Sequence, residues 1–252
     1  MDEDSRYEQR DALAIITLNR PDKANALTAN MRASLQRHLD RATNDATVQC
    51  VLLRAEGERF CGGLDLTDLP NSTAEWRQRV LAAQRNHISV LRMPKLTIAA
   101  VQGAAVGGGA SLALAADLLL MAEDAFLAFP FVRLGIVPDG GSSYFLQAKL
   151  GVSVATDLLL TAGRIDAKSA MQLGLTRRVV PTGELLRAAL SLVNELQAIP
   201  PESRALTKQL CQQYWAGGLQ HALQCEVDLF AQATETVGHH AALASIIRKR
   251  VN

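Results

Sequence analysis

Residues Ala99–Pro130 read "AAVQGAAVGGGASLALAADLLLMAEDAFLAFP", and how this stretch is divided decides the fold. Its first half overlaps an uncharged run, Leu96 to Ala116, whose length approaches that of a membrane span. Three consecutive glycines, Gly107, Gly108 and Gly109, would badly weaken a single helix there, and Asp117 follows at once. A buried strand ("LTIAAVQG"), a glycine turn, a buried helix and a second strand ("LLLMA") fit better, and no membrane span is expected. Glycines where a strand hands over to a helix let backbone N–H groups approach a ligand closely. The helix start adds unpaired donors and a positive dipole end. An oxyanion or phosphate suits such a place, and so does plain close packing of helix on strand. Leu112 stands where a dinucleotide fingerprint needs its last glycine, and no Gly-Lys-Ser/Thr exists for a phosphate loop of the Walker type.

Outward from this stretch, "ALAIITLN" (Ala12 to Asn19) predicts a strand, and Thr28 is placed to cap a helix whose face is Leu27, Met31, Leu35 and Leu39. "VQCVLLRAEG" predicts a strand buried on both faces, followed by a second paired-glycine turn, "RFCGGLDL". After Gly151 helical spacing dominates, with Gly163 and Gly174 as helix stops and "RRVV" as a lone strand. From Pro201 onward the pattern is wholly helical. An α/β core of residues 1–195 followed by a helical region, 196–252, is the expected organisation.

The 252 residues are 48% hydrophobic and 20% charged, with a net charge of +1. That supports a large core and leaves no basic footprint for nucleic acid or an anionic membrane. The N-terminal "MDEDSRYEQR" is acidic, unlike a signal or transit peptide, and Cys50, Cys61, Cys211 and Cys225 are scattered without metal spacing. A cytoplasmic protein with reduced thiols and no metal is expected. Cys61 reads as a buried thiol rather than a nucleophile, and His239 and His240 lack partner ligands on one helical face.

One carboxylate stands out. In "FPFVRLGIVPDGGSSYF" (Phe129 to Phe145) Asp139 is the sole acid among apolar neighbours. Pro-Asp-Gly is a favoured turn. A carboxylate near Ile136, Val137, Tyr144 and Phe145 would also be desolvated, its proton affinity raised as a general base for a weak carbon acid requires. Both readings stand on the residues alone.

Together "LNRPDKANALT", "FCGGLDL", the stretch quoted first, "RLGIVPDGGSSYFL", "LLLTAGRIDAKSAMQLGLTRRVVP" and "LTKQL" resemble the crotonase superfamily, the enoyl-CoA hydratase/isomerase family, over almost the whole chain. The resemblance implies a spiral of ββα units with a C-terminal helical trimerisation region, as a homotrimer or hexamer. It implies an acyl-CoA thioester substrate, coenzyme A entering as part of that substrate and no permanently bound cofactor. The backbone N–H groups of Leu64 and Gly108 map onto the pair that holds the thioester oxygen. Lys23, Ala24 and Ala26 map onto the loop that lines coenzyme A, with Leu66 on the adenine side. The basic "RKR", Arg248 to Arg250, resembles a segment that reaches a neighbour's phosphates. Gly62, Asp65, Gly107, Ser111, Phe131 and Leu134 complete the expected substrate-binding set.

The two glutamates of a hydratase map onto Ser111 and Phe131, so neither is present. Some isomerases of the family carry one carboxylate in a "PDGG" context, which maps onto Asp139. The resemblance therefore implies an enoyl-CoA isomerase that moves a double bond with Asp139 as shuttle. A hydratase using another carboxylate, such as Asp65 or Glu123, and a non-catalytic binder of CoA thioesters are the alternatives. Asp65 is doubtful as a base, because the matching residue of the family is usually structural. Nucleic-acid binding is disfavoured by the near-neutral charge.

Overall fold

The computed structural model describes residues 4–251; the side chains of 214–217 and 249–251 lie outside that description. The main sheet is built from strands β1 (Ser5–Arg10), β2 (Leu13–Leu18), β3 (Cys50–Ala55), β4 (Leu96–Val101), β6 (Leu118–Ala122) and β9 (Val179–Val180), in the order β1-β2-β3-β4-β6-β9. β1 and β2 form an antiparallel hairpin, and every later pairing in this sheet is parallel. A smaller sheet, β5 (Ala104–Val106), β7 (Phe126–Ala128) and β8 (Arg164–Asp166), lies beside it.

Two isolated bridges, Leu27 with Leu64 and Cys61 with Ala105, extend the small sheet backwards along the chain. Each turn of the spiral thus has a main-sheet strand, a short second strand and a helix. β2, the Leu27 bridge and α1 (Ala29–Asn44) make the first, and β3, the Cys61–Leu64 segment and α2 (Thr73–Arg92) the second. β4, β5 and α3 (Gly108–Ala115) make the third, and β6, β7 and α4 (Ser142–Leu150) the fourth. β2 is buried at every residue, and β3 and β4 at all but one. That is why these strands read as apolar runs rather than as alternations.

The expected strand–glycine turn–helix–strand division of the opening stretch is observed, with all eight residues of α3 buried. No helix among the described residues is long and apolar enough to cross a membrane. Thr28 caps α1, accepting from Met31 N at 3.0 Å. "RRVV" supplies one strand between helices as expected: Val179–Val180 pairs with Met121–Ala122 as the far edge of the main sheet. At the helix stop near Gly163, Ala162 rather than the glycine takes the left-handed conformation (φ 54°).

α5 (Val152–Leu160), α6 (Ala167–Gln172) and α7 (Leu185–Gln197) follow. The chain ends in α8 (Pro201–Thr234) and α9 (Val237–Val251). Lys208 of α8 is tied to the sheet by Asp117, whose Oδ2 accepts from Lys208 Nζ at 2.7 Å and from Thr97 N at 2.8 Å. α9 is pinned at its start, where His239 Nδ1 lies 2.7 Å from Leu134 O and a Cβ on Gly135 would come within 2.6 Å of His239 Cα. In the basic tail, exposed Arg248 bonds Ala244 O at 3.2 Å; Lys249 and Arg250 lie outside the described side chains.

Candidate active site

A cavity of about 230 Å³ opens where the second and third turns of the spiral meet. Gly62 to Leu64 and Val106 to Gly108 form one rim, and Phe131, Leu134, Ile136 and Asp139 line the opposite side. Phe230 of α8 and Ile246 of α9 also line it. A second groove of about 610 Å³ holds Lys23, Ala24, Ala26, Arg59 and Asp65, and shares Gly62 and Leu64 with the first. A ligand spanning both would pass its junction atoms over Leu64.

The glycine rim is built by close backbone approach. Gly63 has φ +81°, and a Cβ there would lie 2.5 Å from Val106 O. Gly107 has φ +52° and caps α3, while a Cβ on Gly109 would lie 2.5 Å from Cys61 Cβ. Gly108 is the first helical residue, a position whose N–H has no intrahelical acceptor. Among the described residues no backbone carbonyl accepts from Leu64 N–H or Gly108 N–H. Two free donors at one mouth suit an oxygen that gains negative charge.

The opposite side carries the carboxylate. Asp139 is buried, and its Oδ1 has no hydrogen-bond partner among the described residues. Oδ1 lies 4.0 Å from where a Cβ on Gly108 would stand, so the carboxylate faces the glycine rim. Burial pushes its pKa up, and the Arg32 guanidinium pulls it the other way.

Three helices hold the Asp139 turn. From α3, Ser111 Oγ lies 3.2 Å from both Asp139 O and Gly107 O. From α2, His87 Nδ1 lies 3.0 Å from Gly140 O, and the ring also contacts the backbone of Gly108. Burial pushes His87 down to about 3, so the ring is neutral and Nδ1–H donates. From α8, Glu226 accepts from Gly141 N at 2.8 Å and from Ser143 Oγ at 2.7 Å. Burial raises Glu226 to about 7.

The structure brings Leu64, Gly107, Gly108, Phe131, Leu134 and Asp139 to one cavity, and Lys23, Ala24, Ala26 and Asp65 to the adjoining groove, with Gly62 on both. Leu66 lines the acyl-sized cavity rather than the groove. Ser111 is fully buried behind the rim and acts on the turn, not on the cavity surface. Asp65 is occupied: Thr67 N and Oγ1 donate to it at 2.9 and 2.7 Å, and Arg20 Nη1 at 2.9 Å. Burial pushes its pKa up, but these bonds outweigh that and hold it below the ordinary value. Glu123 is exposed and outside both cavities. Cys61 is a buried thiol pushed up to about 11 by desolvation, which removes it as a nucleophile.

Sequence reasoning missed Arg32, His87 and Glu226. Glu226 left a trace, because it falls on the apolar stripe of Leu219, Leu223, Val227 and Phe230. Arg32 and His87 left none, since α1 and α2 carry buried polar residues at several positions.

Two backbone N–H groups without a backbone acceptor thus meet at the junction of two turns of a spiral fold. Residues 8–250 match the family model described as enoyl-CoA hydratase/isomerase, and the chain belongs to that family, within the crotonase superfamily. The short-chain-enoyl-CoA hydratase of Clostridium acetobutylicum is 29% identical over 96% of this chain and 94% of that relative. The 1,2-epoxyphenylacetyl-CoA isomerase of Escherichia coli strain K12 is 30% identical over 93% and 92%. The crystal structure of an enoyl-CoA hydratase from Mycobacterium avium subsp. paratuberculosis K-10 superposes with a TM-score of 0.90, at 27% identity over 97% of this chain and 99% of that one. The protein is an enzyme of a family that acts on CoA thioesters.

Proposed function

We propose that the protein is an enoyl-CoA isomerase that converts a 3-enoyl-CoA to a 2-enoyl-CoA. The observation that carries this is the inventory of the acyl-sized cavity: Asp139 is the one carboxylate among its lining residues. A double-bond shift needs only one proton carrier. Asp139, as carboxylate, takes a proton from the α carbon. The electron pair moves into a dienolate whose oxygen accepts from Leu64 N–H and Gly108 N–H. Asp139, now a carboxylic acid, returns the proton at the γ carbon and regains its charge. Loss of one such donor typically costs about 10²–10³ in rate. Phe131, buried in the wall, and Leu134 exclude water that would compete for the intermediate.

Coenzyme A is assigned to the groove with Lys23, Ala24, Ala26 and Asp65, entering and leaving with the substrate. No resident cofactor or metal has a role in this reading. A homotrimer or hexamer in the cytoplasm is the proposed working form, on the strength of the family resemblance. Hydratase names dominate among the relatives, but hydration normally uses two carboxylates, and Ser111 and Phe131 stand where they would be.

The test offers purified protein 3-enoyl-CoA and 2-enoyl-CoA of several chain lengths, following conjugation and water addition by absorbance. Double-bond migration is expected, and Asp139→Asn should lower it by about 10²–10⁴, the usual contribution of a positioned acid–base group. Unchanged isomerisation in Asp139→Asn would sink the assignment. Water addition alone would establish the hydratase instead.

A further inference from the structure

Besides Asp139, three arginines that this reaction does not use line the cavity: Arg32, Arg79 and Arg133. Arg32, in the first turn of α1, is only 5% exposed and lines the same cavity as Asp139. Its Nε has no hydrogen-bond partner among the described residues, which is also true of Asp139 Oδ1. A buried guanidinium is expensive unless a negative charge faces it. The other charges nearby are accounted for. Arg79 of α2 pairs with Asp68 Oδ2 at 3.1 Å, and Arg133 is exposed at the cavity rim. Glu226 of α8 is committed to Gly141 and Ser143, and His87 of α2 is neutral. Cys61 remains a thiol, and α3 presents only Ser111. Arg32 and Asp139 are therefore left as the two buried, opposite charges of one small cavity.

We propose that Arg32 is a positioning residue for proton transfer, its fixed positive charge keeping Asp139 in the carboxylate form inside an apolar cavity. This rests on Asp139 being the base. Such a base has two conflicting needs. It must bind a proton strongly enough to take one from carbon, and it must start without one. Burial supplies the first, and Arg32 opposes burial to secure the second. The missing direct hydrogen bond serves both, because a bidentate pair would hold the carboxylate too firmly to react.

The test is the pH profile of kcat/KM for isomerisation in Arg32→Gln, Arg32→Met and Arg32→Lys. In the two neutral variants the acid limb should move to higher pH, with activity recovering on the alkaline side. On the limb, activity falls about tenfold for each unit of that movement. Arg32→Lys should keep its limb near the original. Replacing a buried ion by an apolar side chain is often tolerated, so Arg32→Met guards against a folding failure in Arg32→Gln. A limb that stays in place in both neutral variants, with only the amplitude lowered, overturns the inference. If neither neutral variant folds, the infrared difference between the unmodified protein and Asp139→Asn decides. At the pH of maximal activity it should show a carboxylate band, and a protonated-acid band overturns the inference. Full activity in Asp139→Asn would instead strike at the functional reading itself.

Discussion

The two sides of the cavity that holds Asp139 are built by opposite means. The glycine rim is held by backbone packed on backbone and by a helix, α3, that is buried all round. The Asp139 side is a turn held by polar side chains from three helices, Ser111, His87 and Glu226. An oxyanion site needs N–H groups that cannot relax, and close backbone packing provides that. A proton shuttle needs a side chain whose ionisation is tuned, which calls for charges and hydrogen bonds near it. The rim should therefore fail through sterics and the turn through electrostatics.

Gly63→Ala tests the first half most severely. A Cβ 2.5 Å from Val106 O, on a residue at φ +81°, has no space to yield. We expect a loss of roughly 3 kcal/mol or more in stability, with activity lost alongside, read by thermal unfolding and turnover. An active, stable Gly63→Ala protein would break the comparison at its strongest point.

Glu226→Gln tests the turn. Glu226 has its pKa raised by burial from 4.5 to about 7, so the folded state favours its protonated form. The sign follows: this contribution to stability is complete below about 4.5 and is lost as pH rises towards about 7. The size is on the order of 2–4 kcal/mol, since one pKa unit is about 1.4 kcal/mol. Glu226→Gln should flatten the fall of Tm across that window, while weakening the bonds to Gly141 and Ser143 at every pH. A Tm difference independent of pH would remove Glu226 from the electrostatics of the turn.

Ser111→Ala is the mildest change. It removes a hydroxyl that reaches two buried carbonyls, each of which keeps another donor, Ser142 for Asp139 O and Ser111 N for Gly107 O, at about 1 kcal/mol. Activity should fall more than stability, because Asp139 loses a backbone tether. An unaltered rate with a 1 kcal/mol loss would make Ser111 a packing residue only.

The uncharged run and triple glycine determined the strand–turn–helix–strand core by themselves. That division buries apolar backbone with its hydrogen bonds satisfied, and the observed β4, α3 and β6 follow it. The glycine turn around Gly108 was legible for the same reason, since glycine patterns report local backbone geometry, whereas Leu64 was singled out only by the family resemblance. The short strands β5, β7 and β8 were not, because three-residue strands carry too little pattern to read. Asp139 was legible only as an ambiguity between turn and base. Tertiary structure placed it, by bringing Arg32 from α1, His87 from α2 and Glu226 from α8 around one turn. Those residues are 52 to 107 positions away in the chain, and the field at a carboxylate depends on distance in space, to which local sequence is blind.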